Sequence, residues 1–210
     1  MTAEETRKRI LEDDSFILSE LEKIQVLFKM KRVIRYNHTR EEEIDTESDA
    51  EHVYGMLALK EYFQPLEETD EWDGEKIYQI ALYHDIDEIL TGDRIGYLKT
   101  ASDREEEFLS QQKVIESLPE SMQAEVQELI QEYEEQKTVE SRFVKALDKM
   151  EPLFHLINEN GKQILLRNGT TLAQHKSIKD KYVAEFPYLK RFNEVLSKHM
   201  VEKGYFTPEK

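Results

Sequence analysis

The chain of 210 residues contains no cysteine. Disulfides, thiolate nucleophiles, Cys-ligated zinc and iron–sulfur clusters are therefore excluded. Glycine and proline are scarce, at 7 and 5, and no stretch rich in Gly, Ser or Pro divides the chain. A β-sandwich, which needs many turn residues, is disfavoured. No apolar run approaches the ~20 residues of a membrane-spanning helix. The N-terminus MTAEETRKRI lacks the apolar core of a secretory signal. The expectation is a soluble, cytoplasmic protein with no membrane partner. Positive charge is also in deficit: 29 Lys and Arg stand against 45 Asp and Glu, for a net charge of -16. Binding a nucleic-acid polymer depends on basic side chains neutralising many phosphates, so no such partner is expected. A small phosphorylated substrate stays open, because a divalent cation and one or two local basic residues can reverse the potential inside a pocket.

What is present is charge and helical periodicity. Charged residues make up 35% and hydrophobic ones 39%, a mixture that fits an all-α, single-domain helical bundle. Residues 1–14 read as a frayed N-terminus, 15–203 as the domain and 204–210 as a loose tail. Ile17, Leu21, Ile24, Leu27 and Phe28 put a helix over 16–34. Ser48 and Glu51 form a capping box that starts a helix ending near Phe63, before Pro65. Further helices are expected over 75–85, 103–118 and 120–136, over 139–157 with a kink at Pro152, and over 172–200 with a bend at Pro187. Asn160-Gly161 and Asn168-Gly169 read as turns. The Glu-dense segment 120–136 is a solvated face, or else a contact for a basic partner.

Four residues carry the chemistry. The stripe Ile77, Ile80, Ala81 continues to His84, so that imidazole points inward, with Asp85 beside it. A buried charge needs a partner, and a divalent cation bound by both supplies one. The plainer reading is a hydrogen-bonded core histidine next to a capping aspartate. His52 lies on the capped helix, on a stripe with Met56, Leu59 and Phe63. Two helices each turning a histidine inward can face each other across a core. Asp148 sits at the edge of a buried stripe with Val144 and Leu147. It asks for a partner, which is either the same cation or a nearby lysine.

The order His52, His84-Asp85, Asp148 resembles the H…HD…D signature of HD-domain metal-dependent phosphohydrolases. Glu47-Ser48-Asp49-Ala50-Glu51-His52 is similar to the E-S-x-A-E-H element of the 5′-deoxynucleotidase branch. The run from His84-Asp85 through Glu88 to Thr91-Gly92-Asp93 is similar to that branch's H-D-x-x-E-x-x-T-G-D. Lys31-Arg32-Val33-Ile34-Arg35 resembles its K-R-x-x-R stretch, and Lys99 falls six residues after Asp93, where the branch often has a lysine. The likeness covers roughly residues 20–155. Tyr36-Asn37-His38 stands where the branch often has Trp, and the loop 36–46 is slightly longer; both differences bear on the base or sugar pocket.

The resemblance implies an HD-type helical fold with a metal held by His52, His84, Asp85 and Asp148. It assigns Glu88 to orienting or deprotonating the attacking water, Asp93 to the water or a sugar hydroxyl, and Arg35 and Lys99 to the phosphate. No histidine lies between His84 and Asp148, where two-metal relatives carry extra ones. One divalent ion is therefore expected; the ligand set accepts Co, Mn, Zn, Fe, Ni or Mg. The activity implied is release of phosphate from nucleoside 5′-monophosphates, deoxy forms favoured, by a homodimer. The alternatives are another small phosphomonoester or a nucleoside polyphosphate, or an inactive helical interaction protein.

Overall fold

The computed structural model describes residues 3–36, 47–67, 72–94 and 99–209. Asn37 and His38 and most of the loop 36–46 lie outside them, so the departures noted there have no structural counterpart. Among the described residues the chain is all-helical, with no strand and one isolated bridge between Ile34 and Ser48. No described helix is long and apolar enough to cross a membrane.

The first helices are α1 (Ala3–Glu12) and α2 (Asp14–Ile24), followed by a 3₁₀ segment (Leu27–Arg32). The stretch expected to fray therefore carries α1. That helix has no apolar stripe to announce it; Arg9 covers the ring of Phe16 on α2 and pairs with Asp13 at 3.4 Å. The continuous helix expected over 16–34 ends at Ile24, and the remainder tightens into the 3₁₀ turns.

The centre of the molecule is built by α3 (Asp49–Glu67), α4 (Gly74–Tyr83), α7 (Glu120–Glu135) and α8 (Val139–Leu156), with α5 (Glu88–Thr91) and α6 (Ala101–Ser117) beside them. The capping box of α3 forms as expected: Ser48 N donates to Glu51 Oε2 at 2.6 Å, and Glu51 N to Ser48 Oγ at 3.3 Å. Asp73 caps α4 by accepting from Lys76 N at 3.0 Å. Pro65 does not end α3, nor Pro152 α8. Each removes one helical hydrogen bond, yet the flanking turns stay packed on the core.

Apolar faces with helical spacing meet in this centre. Met56 and Phe63 of α3, Ile77, Ile80 and Ala81 of α4, and Phe143, Val144, Leu147 and Met150 of α8 are all at most 1% exposed. Each of these side chains except Ala81 contributes roughly 1.5–3 kcal/mol by leaving water. Truncating Phe143, which touches Trp72 and Phe186 edge-on, would cost about 3–5 kcal/mol. A second cluster joins Ile86, Val114, Ile115, Val126 and Ile130. The α7 helix turns Val126, Leu129, Ile130 and Tyr133 inward.

The C-terminal third is more broken than expected. Asn158 caps α9 (Glu159–Arg167), where turns alone were read. Gly161 permits this, because a Cβ there would strike the Leu156 backbone. The single helix expected over 172–200 is three: α10 (Leu172–Ser177), α11 (Asp180–Val183) and α12 (Pro187–Glu202), the last begun rather than bent by its proline. The tail is not loose. Tyr205 is 5% exposed within the main core, and Thr207 N donates to Thr170 O at 2.8 Å.

Candidate metal centre

His52 occupies the first turns of α3, three residues after Asp49, and the stripe it shares with Met56 carries it into the interior. His84 closes α4, and Asp85 leaves the helix just beyond it. Asp148 comes from the middle of α8, which packs across both helices. The structure brings these four together. Ring centroids of His52 and His84 are 5.7 Å apart. His84 Nε2 lies 2.9 Å from Asp85 Oδ2, and His52 Nε2 lies 3.5 Å from Asp148 Oδ1. Ligand atoms of His52, His84 and Asp85 all fall within 4.8 Å of one another.

The orientation of the rings is fixed from behind. His52 Nδ1 is 2.8 Å from Glu151 Oε2, and His84 Nδ1 is 2.9 Å from Ala81 O. Both acceptors hold the ring proton at Nδ1. They leave His52 Nε2 and His84 Nε2 buried beside the Asp148 and Asp85 carboxylates, with no hydrogen bond among the described residues. Buried polar atoms rarely go unsatisfied. Two such nitrogens converging with two carboxylates is the donor set of a first-row divalent ion, and a carboxylate or carbonyl behind each histidine is the usual support of such a site. The residues present fit the metal.

Glu151, one helical turn after Asp148, went unnoticed in the sequence. Gly55 on α3 makes room for it, since a Cβ there would come within 2.5 Å of Glu151 Oε1. Asp148 is also held by its other oxygen. Tyr133 donates to Asp148 Oδ2 at 2.8 Å, and Lys149 Nζ lies 2.8 Å from the same atom. The metal and the lysine readings of Asp148 are thus compatible, one at each oxygen. Tyr133, Lys149 and Lys145, whose Nζ donates to Tyr133 OH at 3.0 Å, carried no motif of their own.

The electrostatics are those of a buried acidic site that attracts a cation. Burial and the Arg35 charge work against a charged His52, but the carboxylates of Asp148 and Glu151 outweigh them and raise it to about 9, so a cation binding at Nε2 would displace a proton there. Burial disfavours the charged form of Asp148, yet Lys149, His52 and Lys145 hold it well below the ordinary carboxylate range. Glu88 is 6% exposed at the start of α5. Burial, and then the nearby carboxylates of Asp85, Asp49 and Asp93, push its proton affinity well up. Among the described residues its Oε2 has no hydrogen-bond partner.

A cavity of about 720 Å³ opens on this cluster, lined by Arg35, Asp85, Glu88, Asp93, Lys99 and Asp148, among others. Arg35 lies 3.5 Å from Glu47 Oε1 through Nε, but among the described residues its buried Nε and Nη1 make no hydrogen bond. Asp93 Oδ2 accepts from Tyr36 N at 3.1 Å, which ties the segment after Arg35 to the turn after α5. Lys99 reaches the same cavity, but its Nζ is 2.6 Å from Glu107 Oε1.

With this geometry in place, similarity to known proteins is informative. The HD domain family matches residues 27–190. The chain is 28% identical over 141 residues to the 5′-deoxynucleotidase HDDC2 of Xenopus laevis, covering 66% of this chain and 68% of that protein. It is 30% identical over 137 residues to the 5′-deoxynucleotidase HDDC2 of Homo sapiens, covering 63% of this chain and 64% of that protein. The matched region thus spans about two thirds of these relatives. Among solved structures, the fold resembles a predicted metal-dependent phosphohydrolase from Magnetospirillum magnetotacticum MS-1, with a TM-score of 0.74 at 24% identity over 91% of this chain and 98% of that one. It also resembles an HD-domain phosphohydrolase from Listeria innocua, with a TM-score of 0.55 at 20% identity over 85% of this chain and 84% of that one.

Proposed function

This chain belongs to the HD domain family and is a metal-dependent phosphohydrolase; within that family we propose that it releases inorganic phosphate from nucleoside 5′-monophosphates, deoxy forms favoured. The observation that carries the reading is the pair of buried imidazole nitrogens of His52 and His84 that, among the described residues, make no hydrogen bond and converge with Asp85 and Asp148 on a cavity also lined by Arg35 and Glu88. The narrower substrate assignment is supported by the names of the vertebrate relatives and by the E-S-x-A-E-H and T-G-D elements.

His52, His84, Asp85 and Asp148 would hold one divalent ion. Bound there, such an ion polarises a phosphoryl oxygen and acidifies a water. The chain's own groups do the rest. Arg35, whose Nε faces Glu47 at 3.5 Å, offers its guanidinium to phosphate oxygens, and a planar guanidinium suits a phosphate in a two-point contact. Glu88, which lines the same cavity, would accept the proton of the attacking water. Asp93, anchored by the Tyr36 amide, stands where it can position the water or a sugar hydroxyl.

The test is phosphate release by purified protein, supplied with Co, Mn, Zn, Fe, Ni or Mg in turn, from deoxy- and ribonucleoside monophosphates and from a phosphodiester. Release from the monophosphates, strongest for deoxy forms, is expected. Cleavage of the diester with no release from any monophosphate would overturn the assignment.

A further inference from the structure

The cavity does not stop at the metal cluster. Its wall continues past Lys149 and Pro152 into the C-terminal third, where His175, Ser177, Lys179 and Tyr182 line it. Lys179 lies between α10 and α11 and is 4% exposed. Its Nζ donates to the backbone carbonyl of Lys149 at 2.6 Å, one residue beyond Asp148. Among the described residues no carboxylate comes within ion-pair distance of it.

That sets Lys179 apart from the other buried or half-buried lysines of the cavity: Lys99 is committed to Glu107, Lys149 to Asp148, and Lys145 to Tyr133 with Asp148 4.0 Å away, while Lys181 is exposed with its Nζ over the Tyr182 ring. A buried ammonium that donates to a neutral carbonyl and has no carboxylate in ion-pair reach among the described residues lacks a close counter-ion, which is costly. Burial, with the charge of Lys149, depresses it to about 7. An anion entering the cavity would remove that cost. A phosphomonoester brings about two negative charges at neutral pH, and Arg35 already has the Glu47 carboxylate 3.5 Å from its Nε, so a further buried cation on the cavity wall adds to what the bound ion and Arg35 supply.

We propose that Lys179 is a phosphate-binding residue, the second cation of the lodge that Arg35 begins, so that the C-terminal third contributes directly to substrate binding. The proposal rests on the phosphomonoesterase reading, and it shifts the lysine role from Lys99, whose charge Glu107 already neutralises, to Lys179.

Binding of inorganic phosphate to the metal-loaded protein, measured by calorimetry, tests it without depending on which ester is cleaved. Lys179→Gln removes the charge while keeping a donor for the Lys149 carbonyl. Phosphate affinity is expected to fall about tenfold or more, with metal content unchanged, and to return to within about threefold of wild type in Lys179→Arg. In turnover with the best monophosphate, KM should rise more than kcat falls. Phosphate affinity in Lys179→Gln equal to wild type would overturn the proposal. If that variant does not fold, Lys179→Met reads the same constant against the same criterion. A failure of the nucleotide assignment shows separately, as absence of nucleoside monophosphate turnover in the wild type.

Discussion

His52 and Glu151, 99 residues apart in sequence, meet at 2.8 Å through the imidazole Nδ1 and the carboxylate Oε2. This contact decides which nitrogen of His52 faces the cluster. With Nδ1 donating to Glu151, Nε2 keeps its lone pair toward Asp148, His84 and Asp85. Glu151 also increases the basicity of that nitrogen, and both effects favour coordination.

Glu151 therefore has a measurable role although it is not among the four ligands. Glu151→Gln keeps the size but offers the ring a weaker acceptor. Metal affinity should fall about 10–100-fold, the usual loss when a carboxylate behind a ligand histidine is removed. A chelator competition titration checks it; an unchanged metal dissociation constant would remove Glu151 from the site.

Glu88 is expected to act on the proton and not on the metal. Glu88→Ala should retain the ion and lower kcat by about two to four orders of magnitude, the range for loss of a general acid–base group. Metal content and turnover measured on one preparation separate the two effects. Full turnover would exclude Glu88 from the chemistry, and loss of metal would make it part of the ion's support.

The ligand residues were legible in the sequence because periodicity aims them. His84 continues the stripe of Ile77, Ile80 and Ala81, and His52 shares one with Met56 and Phe63, so burial followed from spacing alone. The helical class followed from the same pattern and from the shortage of turn residues. Glu151 could have been found, since it lies one turn from Asp148 on the same face of α8. Lys179 could not. It sits where an expected continuous helix breaks into α10, α11 and α12, and its approach to Lys149 is a tertiary fact with no local signal. The packed tail was hidden for a similar reason: Tyr205 is a lone aromatic in a polar stretch, and only the turn at Gly204 sends it into the core.

His175 should give acid sensitivity. Burial first, then the charges of Lys179 and Lys176, lower it from 6.5 to about 3, so the folded chain keeps it neutral. Its Nε2 lies 3.1 Å from Ser197 Oγ. The unfolded chain takes up the proton below about pH 6.5 and the folded chain does so only near pH 3. The contribution of His175 is thus present above about pH 6.5 and is lost as pH falls through this window. Relative to His175→Gln, wild type should lose on the order of 1–2 kcal/mol between pH 7 and pH 5. Denaturant unfolding at both pH values reads the difference, and parallel losses in the two proteins would contradict it.

The most direct test of the account is metal per chain in wild type and Asp148→Asn, measured side by side. Asp148 offers one oxygen toward His52 and the other to Tyr133 and Lys149. The substitution preserves volume and removes the charge the ion requires. Wild type should hold close to one ion and Asp148→Asn far less. A chelator should lower the Tm of wild type and barely move that of the variant, because an ion that binds only the folded chain stabilises it by mass action. Full occupancy in Asp148→Asn would contradict the four-ligand centre and leave Asp148 as the ion-pair partner of Lys149 alone.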